Sequence, residues 1–321
     1  MSCDLTISVV NQSNPNLLKE CLRSIYRSTH KITLDIWAIY NATDGTGVTD
    51  MQQEFPAVKW LFNTQRLGFS ANHNQVLSQA KTPYVCILND DTVIHDGAFD
   101  TLVHYMKENP GVGMVGARLL NSDGSQQNCT FHFMTLWTEL FGICVLPGFL
   151  DGLKKLGIDR SQTLDRPASV DWILGACIVT RDETIQQVGL LDSSLSPIAN
   201  TEEVDWCYRT HKAGWEVTYC PQAVITHLGG RSQQSDRPGM DSMRVEMYRT
   251  RIAFFRKHYG FLSAFLLRWI YLSTLPWNAL MLTQSAVRKT TPRLQCQNAF
   301  ATLCGIARVS LRPLKMDVGS K

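Results

Sequence analysis

Two adjacent carboxylates, Asp90 and Asp91, directly follow the apolar run 84–88, with Asn89 before them. Neighbouring carboxylates repel each other unless a cation or another partner compensates their charge. Oxygen ligands of this kind suit Mg²⁺ or Mn²⁺, which proteins usually hold through one or two carboxylates together with substrate phosphates. The competing interpretation is a solvated turn, because Asn and Asp are common turn residues. From these residues alone the two interpretations stand level.

Further candidates for chemistry lie in the second half of the chain. Glu202, Glu203 and Asp205 begin a helical pattern over 203–213. Acids near a helix N-terminus interact favourably with the helix dipole, and taken alone this structural interpretation is favoured. The functional alternative is a general base, since a carboxylate held near others can keep a raised pKa. His227 ends an apolar run and enters a glycine loop, where it could reach a metal or a phosphate, although a lone histidine is more often structural.

The first 120 residues alternate short apolar runs with amphipathic helical patterns. We predict strands at 5–10, 34–40, 58–62, 84–88 and 112–119, and helices at 14–28, 70–80 and 98–108. Strands separated by helices indicate βαβ units and a mostly parallel sheet. Ligands of such sheets bind at the carboxyl ends of the strands. Those ends carry Asn11, Asn41 with Asp44, and the 89–91 group.

Beyond residue 120 the pattern is less regular. Residues 121–168 contain a turn at 121–124 and an apolar patch; we then predict strands at 171–180, 216–219 and 223–226, and basic helices after residue 244. Residues 244–321 hold 13 Lys and Arg but 2 Asp and Glu, whereas the first 243 hold 18 and 26. An acidic body with a basic tail suggests a site that uses carboxylates and a tail that faces an anionic partner.

Composition and motifs exclude several classes of protein. Of 321 residues, 44% are hydrophobic and 18% charged, which is typical of a globular chain and not of a disordered one. The ten cysteines form no CxxC pair, so we expect buried thiols rather than a zinc site. Residues 111–116 match GxGxxG, but a helix precedes and a strand follows, which is the reverse of a dinucleotide site. There is no GxxxxGK[ST] loop for a triphosphate.

Taken in order along the chain, these segments resemble the family 2 glycosyltransferases of the GT-A fold, especially the bacterial rhamnosyltransferase-like members. The resemblance covers roughly residues 5–260. The blocks that carry it are 7–11, 17–24, 40–45, 67–69 with Asn74, 88–92, 115–124, 170–176, 202–207, 213–215 and 227–230. Each block is weak evidence alone, whereas their shared order is strong evidence.

The resemblance implies a role for each matched position. Asp91 stands at the last, metal-binding position of a DxD-like motif that Asn89 opens, and His227 would contact the metal or the diphosphate. Glu203, beside Glu202, falls at the position of the general base. The residues left to the nucleotide-sugar and its pocket are Asn11, Asn41, Asp44, Asn74, Asn89, Asp90, Trp172 and Gly175.

The implied fold is a Rossmann-like, mostly parallel sheet flanked by helices, with a glycosyltransferase domain at 1–243 (nucleotide half 1–120, acceptor half 121–243) and a helical region at 244–321. The implied reaction is inverting transfer of a sugar from a nucleotide-diphosphate sugar to a hydroxyl of a lipid-linked saccharide. It would need Mg²⁺ or Mn²⁺ and would serve synthesis of a cell-surface polysaccharide such as O-antigen. Deoxythymidine-diphosphate rhamnose is the first expectation for the donor, and uridine-diphosphate sugars come next.

The sequence departs from the family pattern at three places, and the first two, at Tyr40 and Glu203, leave an alternative open. Tyr40 replaces the usual first Asp of the nucleotide loop, Glu203 replaces Asp as the base, and Asn72 with His73 replaces a Gly-Asn pair. An extra methylene at the base shifts geometry by about 1 Å, enough to slow a reaction. The alternative is therefore a degenerate domain that acts as a membrane-associated scaffold; a nucleotidyltransferase is a weaker third interpretation.

The segment 261–282 is apolar and long enough to cross a bilayer. Arg268 and Pro276 argue against a simple span, because a charge at mid-bilayer is costly. Trp269, Tyr271 and Trp277 suit an interface, and flanking Lys and Arg suit anionic head groups. A helix packed on the protein's own core is the structural alternative. We expect peripheral or monotopic association with the cytoplasmic face of the membrane and no nucleic-acid partner.

Overall fold

The computed structural model describes residues 3–12, 14–41, 48–143, 165–195, 201–229, 240–287 and 293–312. The chain divides into two compact units. The first comprises Met1–Phe133 with Arg160–Asp236, and the second comprises Met134–Asp159 with Arg237–Lys321. Asp44 lies outside the described residues. The predicted boundaries at 120 and 243 stay predictions.

The first unit is built on a twisted mixed sheet whose central strands are buried on both faces. Its first half contains β1 (Leu5–Asn11), α1 (Pro15–Ser28), β2 (Leu34–Tyr40), α2 (Val48–Glu54), β3 (Lys59–Phe62), α3 (Phe69–Leu77), β4 (Tyr84–Asn89), β5 (Thr92–Ile94) and α4 (Ala98–Glu108). Strands β1 to β4 pair in parallel, in the order β3-β2-β1-β4. All seven residues of β1 are buried, as expected of a parallel strand covered by helices on both sides.

The second half extends the same sheet and adds antiparallel strands. It contains β6 (Val112–Leu120), β7 (Gln126–Gln127), β8 (Thr130–Phe131), β9 (Ala168–Ser169), β10 (Trp172–Ile173), β11 (Cys177–Arg181), α6 (Asp182–Val188), α7 (Glu202–Lys212) and β12 (Glu216–His227). The order continues β4-β11-β6-β12-β5, with β7 on β6, β9 on β12, and β8 paired with β10. Strand β11 runs antiparallel to both β4 and β6, so its first residue lies at the carboxyl end of β4.

The predicted elements of the first 120 residues are confirmed to within three residues, and two differences follow later in the chain. The strand predicted over 171–180 is two strands, β10 and β11, that belong to different sheets. The two strands predicted at 216–219 and 223–226 are one strand, β12, whose register shifts between Cys220 and Val224. Pro221 explains the shift, because proline has no N–H to give a strand ladder and is tolerated at bulges.

The second unit is helical. It contains α5 (Leu136–Ile143), α8 (Met240–Val287), which is interrupted at Gly260, and α9 (Arg293–Leu311). A buried polar cluster joins its helices: Glu139 accepts hydrogen bonds from Arg251 (3.1 Å) and from the Tyr271 hydroxyl (2.9 Å). Among the described residues, no helix is both long and apolar enough to cross a membrane. Arg268, which argues against a span, donates to the Val309 carbonyl.

Candidate active site

Polar groups at the ends of β1 and β4 meet at the carboxyl edge of the sheet. Asn11 ends β1, and its Nδ2 donates to the Asp90 carboxylate (2.7 Å) and to the Asn14 carbonyl (2.8 Å). Burial, and then the charge of Asp91, raises the pKa of Asp90 to about 8, against the lowering effect of the Asn11 bond. Asn11, Asp90 and Asp91 are all almost fully buried. The structure therefore brings Asn11 and Asp90 together at this edge.

Asp91 meets His227 across the pairing of β5 with β12. His227 is in register with Thr92, and the Leu228 N–H donates to the Asp91 carbonyl (2.9 Å). These backbone contacts place His227 Nε2 3.3 Å from Asp91 Oδ1. The Asn89 amide nitrogen lies 3.3 Å from the same Nε2. Residues predicted to share a site from positions 136 apart in the sequence are thus neighbours.

This group fits a hard divalent cation. A buried carboxylate oxygen and an imidazole nitrogen face each other at 3.3 Å. The carboxylate is the ligand type that Mg²⁺ and Mn²⁺ prefer, and an imidazole nitrogen is a common ligand of transition-metal ions. In the part of the chain that the structure describes, no group of three or more His, Cys, Asp or Glu side chains could enclose a metal. A cation here would need further oxygens from water or from a diphosphate, which is the usual arrangement for Mg²⁺ with nucleotides.

Glu203 lies in the first turn of α7, beside the turn that precedes β11. Burial and then the charge of Glu202 raise the pKa of Glu203 to about 7, against hydrogen bonds from the backbone of Glu203 and Gly175. A Cβ added to Gly175 would lie 3.7 Å from the carboxyl carbon of Glu203. Glycine thus keeps the space before this carboxyl open. A carboxyl that titrates near neutral pH suits a general base.

The turn at Gly175 also touches the Asp91 edge. The Ala176 carbonyl accepts a hydrogen bond from the Asn89 N–H (3.0 Å), next to the contact between Gly175 and Glu203. One short turn therefore connects the candidate base with the candidate metal-binding strand end.

Comparison with known proteins decides the family of this site. The family described as "Glycosyltransferase like family 2" matches residues 3–237. The chain belongs to this family. The prediction of a glycosyltransferase is therefore confirmed.

Two curated proteins are similar to this chain in sequence. This chain is 24% identical over 302 residues to "N-acetylglucosaminyl-diphospho-decaprenol L-rhamnosyltransferase" of Mycobacterium tuberculosis. The match covers 90% of this chain and 96% of the relative. The chain is 25% identical over 171 residues to "Uncharacterized protein y4gI" of Sinorhizobium fredii, covering 53% of this chain and 18% of that protein.

Two solved structures confirm the predicted GT-A fold. The first is the mannosyltransferase PcManGT of Pyrobaculum calidifontis in complex with GDP-Man and Mn²⁺, with a TM-score of 0.57 at 16% identity. The match covers 97% of this chain and 88% of the mannosyltransferase chain. GalNAc-T7 with UDP, GalNAc and Mn²⁺ has a TM-score of 0.55 at 16% identity and covers 78% and 47%. Both neighbours hold Mn²⁺.

Other predicted site residues of the glycosyltransferase make contacts within the fold. Asn41 donates to the Leu67 carbonyl (2.9 Å) and accepts from the Leu67 N–H (2.9 Å), which fixes the start of the 67–69 segment. Asn74 does the same with the backbone of Leu191, at 2.8 and 3.1 Å. Trp172 stacks on Phe131 with ring centroids 4.3 Å apart. Their predicted contacts with the nucleotide-sugar stay predictions.

The acids beside Glu203 have separate partners. Glu202 is fully buried, and its Oε2 accepts from the Thr201 N–H (2.8 Å). Asp205 pairs with Arg209 (2.8 Å), which in turn donates to the Leu190 carbonyl (2.9 Å). Asp205 thus anchors α7 to the loop after α6, while Glu202 acts on Glu203 through its charge.

Sequence reasoning missed Gln127. Its Oε1 lies 2.8 Å from His227 Nδ1, on the side of the ring away from Asp91. A single glutamine three residues after the 115–124 block follows no hydrophobic period and matches no motif. No signal in one sequence could have identified it.

Proposed function

We propose that this protein is an inverting glycosyltransferase. It moves a sugar from a nucleotide-diphosphate sugar to a hydroxyl of a lipid-linked saccharide, in the synthesis of a cell-surface polysaccharide. Family membership supports the reaction class. The mycobacterial relative, which matches along almost its whole length, is named for rhamnosyl transfer to a diphospho-decaprenol-linked N-acetylglucosamine, and this supports the lipid-linked acceptor and rhamnose as the first donor sugar to test.

One observation carries the proposal: the turn at Gly175 and Ala176 lies between Glu203 and the strand end that leads to Asp91. A sugar-transfer site needs a base for the acceptor hydroxyl on one side of the anomeric carbon and charge stabilisation for the diphosphate on the other. A carboxyl with a pKa of about 7 and a buried Asp–His pair supply those two functions at one edge of the sheet.

In the proposed mechanism, Asp91 and His227 would hold Mg²⁺ or Mn²⁺ together with the donor diphosphate. When bound, the cation supplies positive charge that stabilises the diphosphate as it leaves. Ionised Glu203 takes the proton of the acceptor hydroxyl, whose oxygen attacks the anomeric carbon opposite the leaving diphosphate. A single displacement of this kind inverts the anomeric configuration. Asn11 and Asp90 line the donor side, and Gly175 leaves room for the acceptor.

An exposed apolar surface in the helical unit supports a lipid-linked acceptor. Seven large apolar side chains are exposed along α8: Phe261, Leu262, Phe265, Leu266, Trp269, Trp277 and Leu280. The opposite side of the helix carries Ala264, Leu267 and Tyr271, all fully buried. An exposed apolar ridge with interfacial tryptophans suits the boundary of a bilayer. We propose peripheral binding to the anionic cytoplasmic face of the membrane.

The first test is thermal unfolding with a panel of nucleoside diphosphates, with and without Mn²⁺, on wild type and Asp91→Ala. A ligand at 100 times its dissociation constant stabilises a protein by about 2.7 kcal/mol. We expect one nucleotide to stabilise the wild type only with Mn²⁺, and Asp91→Ala to lose the effect. Transfer from the matching sugar donor to a polyprenyl-diphospho-N-acetylglucosamine acceptor is then measured by product mass. A folded protein that no nucleotide stabilises would refute the proposed sugar transfer and favour the degenerate, membrane-associated scaffold.

A further inference from the structure

We infer that Gln127 is a positioning residue that fixes the ring tautomer of His227, as the last acceptor in a hydrogen-bond chain that starts at Asp123. The chain keeps the proton of His227 on Nδ1 and leaves the lone pair of Nε2 facing Asp91. The inference deepens the proposed function, because it rests on His227 acting as a ligand of the cation.

The chain of hydrogen bonds runs through the turn between β6 and β7. The Ser125 hydroxyl donates to Asp123 Oδ1 (2.6 Å), and Asn121 Nδ2 donates to the Ser125 oxygen (2.9 Å). Gln127 Nε2 donates to Asn121 Oδ1 (3.2 Å), and Gln127 Oε1 lies 2.8 Å from His227 Nδ1. The pairing of β7 with β6, Leu119 opposite Gln127, holds the amide beside the end of β12.

The direction of the chain is set at its outer end. An ionised carboxylate can only accept hydrogen bonds, so Asp123 takes the Ser125 proton. Two bonds from Ser125, one from its hydroxyl and one from its backbone N–H, lower the pKa of Asp123 and keep it ionised. The Ser125 oxygen is then left to accept, so Asn121 presents its NH₂ group to Ser125 and its carbonyl to Gln127. Gln127 consequently turns its own carbonyl to the histidine.

A carbonyl oxygen beside Nδ1 requires that Nδ1 carry the proton. In the neutral ring Nε2 then holds the lone pair, and it accepts from the Asn89 amide at 3.3 Å. The same lone pair faces the Asp91 oxygen at 3.3 Å, an arrangement of two electron-pair donors that a cation stabilises. Histidine ligands of metals commonly donate their second N–H to a carbonyl, and loss of that partner costs about 10- to 100-fold in metal affinity.

The first experiment reads the tautomer without metal or donor. Long-range ¹H–¹⁵N correlation spectra of the full chain with labelled histidine, at about pH 8 where histidine is ordinarily neutral, separate the two tautomers and the doubly protonated ring. His227→Gln identifies the His227 signals among those of eight histidines. We expect the Nδ1–H form in the wild type. Gln127→Leu should populate the Nε2–H form, whereas Gln126→Leu, at the exposed neighbour on β7, should leave the spectrum unchanged.

A second experiment measures Mn²⁺ affinity by electron paramagnetic resonance, in the presence of the nucleotide that stabilises the wild type. We expect Gln127→Leu to weaken Mn²⁺ about 10- to 100-fold and Gln127→Glu, which retains an acceptor, to restore most of the affinity. Asp123→Ala, in the exposed turn, frees the Ser125 proton and should give a mixture of tautomers; it keeps the test open if Gln127→Leu does not fold.

The outcomes separate this inference from the proposed function. A wild-type His227 with the proton on Nε2, or on both nitrogens, overturns the inference whatever the enzyme does. The expected tautomer in a protein that binds no Mn²⁺ retains the chain of hydrogen bonds and instead refutes the metal site. Equal Mn²⁺ affinity in wild type and Gln127→Leu would show that the tautomer has no role in metal binding.

Discussion

The pH dependence of transfer tests the environment of Glu203. Its pKa rises from an ordinary 4.5 to about 7 because the carboxyl is shielded from solvent and lies beside the charge of Glu202. A base works only when ionised, so kcat/KM should rise with pH around a midpoint near 7. For that midpoint, about one tenth of Glu203 is ionised at pH 6 and about nine tenths at pH 8. We expect roughly a tenfold increase across this range and loss of transfer by orders of magnitude in Glu203→Gln.

The same pKa shift predicts that the wild type loses stability over the pH range in which it gains activity. A carboxyl whose folded pKa exceeds its unfolded value favours the folded state only while protonated, so the wild type loses stability as pH rises from about 4.5 to about 7. At 1.36 kcal/mol per unit, the loss is about 3 kcal/mol. Glu203→Gln keeps the shape and cannot ionise. It should therefore be the more stable protein above pH 7 and equal to the wild type near pH 4.5.

Both quantities are measured on three proteins: wild type, Glu203→Gln, and Glu183→Gln as a control at an exposed glutamate in the first turn of α6. Initial rates give kcat/KM for the acceptor from about pH 5.5 to 8.5, and urea unfolding gives the free energy of unfolding from about pH 4.5 to 8.5. The control should follow the wild type in both. Transfer that does not vary with pH, or a Glu203→Gln variant with normal turnover, would refute the assignment of Glu203 as the base.

Three further predictions concern other parts of the chain. Gly175→Ala puts a methyl group in ordinary contact with Phe69 and the base, at 3.4 and 3.7 Å, so unfolding should change by less than about 1 kcal/mol while acceptor kcat/KM falls. Arg251→Met leaves the buried Glu139 without its cation and should cost about 3–5 kcal/mol of the free energy of unfolding, measured by denaturant titration. Trp269→Ser should weaken sedimentation with anionic vesicles without changing turnover on a water-soluble acceptor; unchanged vesicle binding would contradict the proposed membrane surface.

Much of the site could be predicted because parallel sheets place their functional groups by a simple rule. The apolar runs at 5–10 and 84–88 read as buried strands, and the polar residues that end them, Asn11 and Asp90, are hydrogen-bonded at one edge. The position of His227 could not be predicted from periodicity, because neither the β5 segment nor the β12 segment shows that the two strands pair. The order of blocks shared with a known family supplied that long-range information.

What could not be predicted depends on tertiary contacts. Residues 171–180 form one apolar run, and nothing local shows that the chain leaves one sheet at Ile173 and enters another at Cys177. The hydrogen bonds that the Asn41 and Asn74 side chains make with backbone carbonyls could not be read from sequence, and their contacts with the nucleotide stay predictions. The chain of hydrogen bonds through Gln127 depends on a turn geometry that several other sequences could adopt.

The antiparallel strand β11 explains how one edge of the sheet acquires both the candidate base and the candidate metal-binding pair. A parallel strand brings only its carboxyl end to that edge, whereas β11 starts there, with Cys177 opposite Leu88 of β4. The turn before β11 can therefore hydrogen-bond both Asn89 and Glu203. The two carboxylates consequently receive different surroundings: Asp91 has an imidazole at 3.3 Å, while Glu203 has a neighbouring negative charge and backbone N–H groups. Such a contrast supports the proposed division of tasks between the two acids, with Asp91 holding positive charge and Glu203 moving a proton near neutral pH.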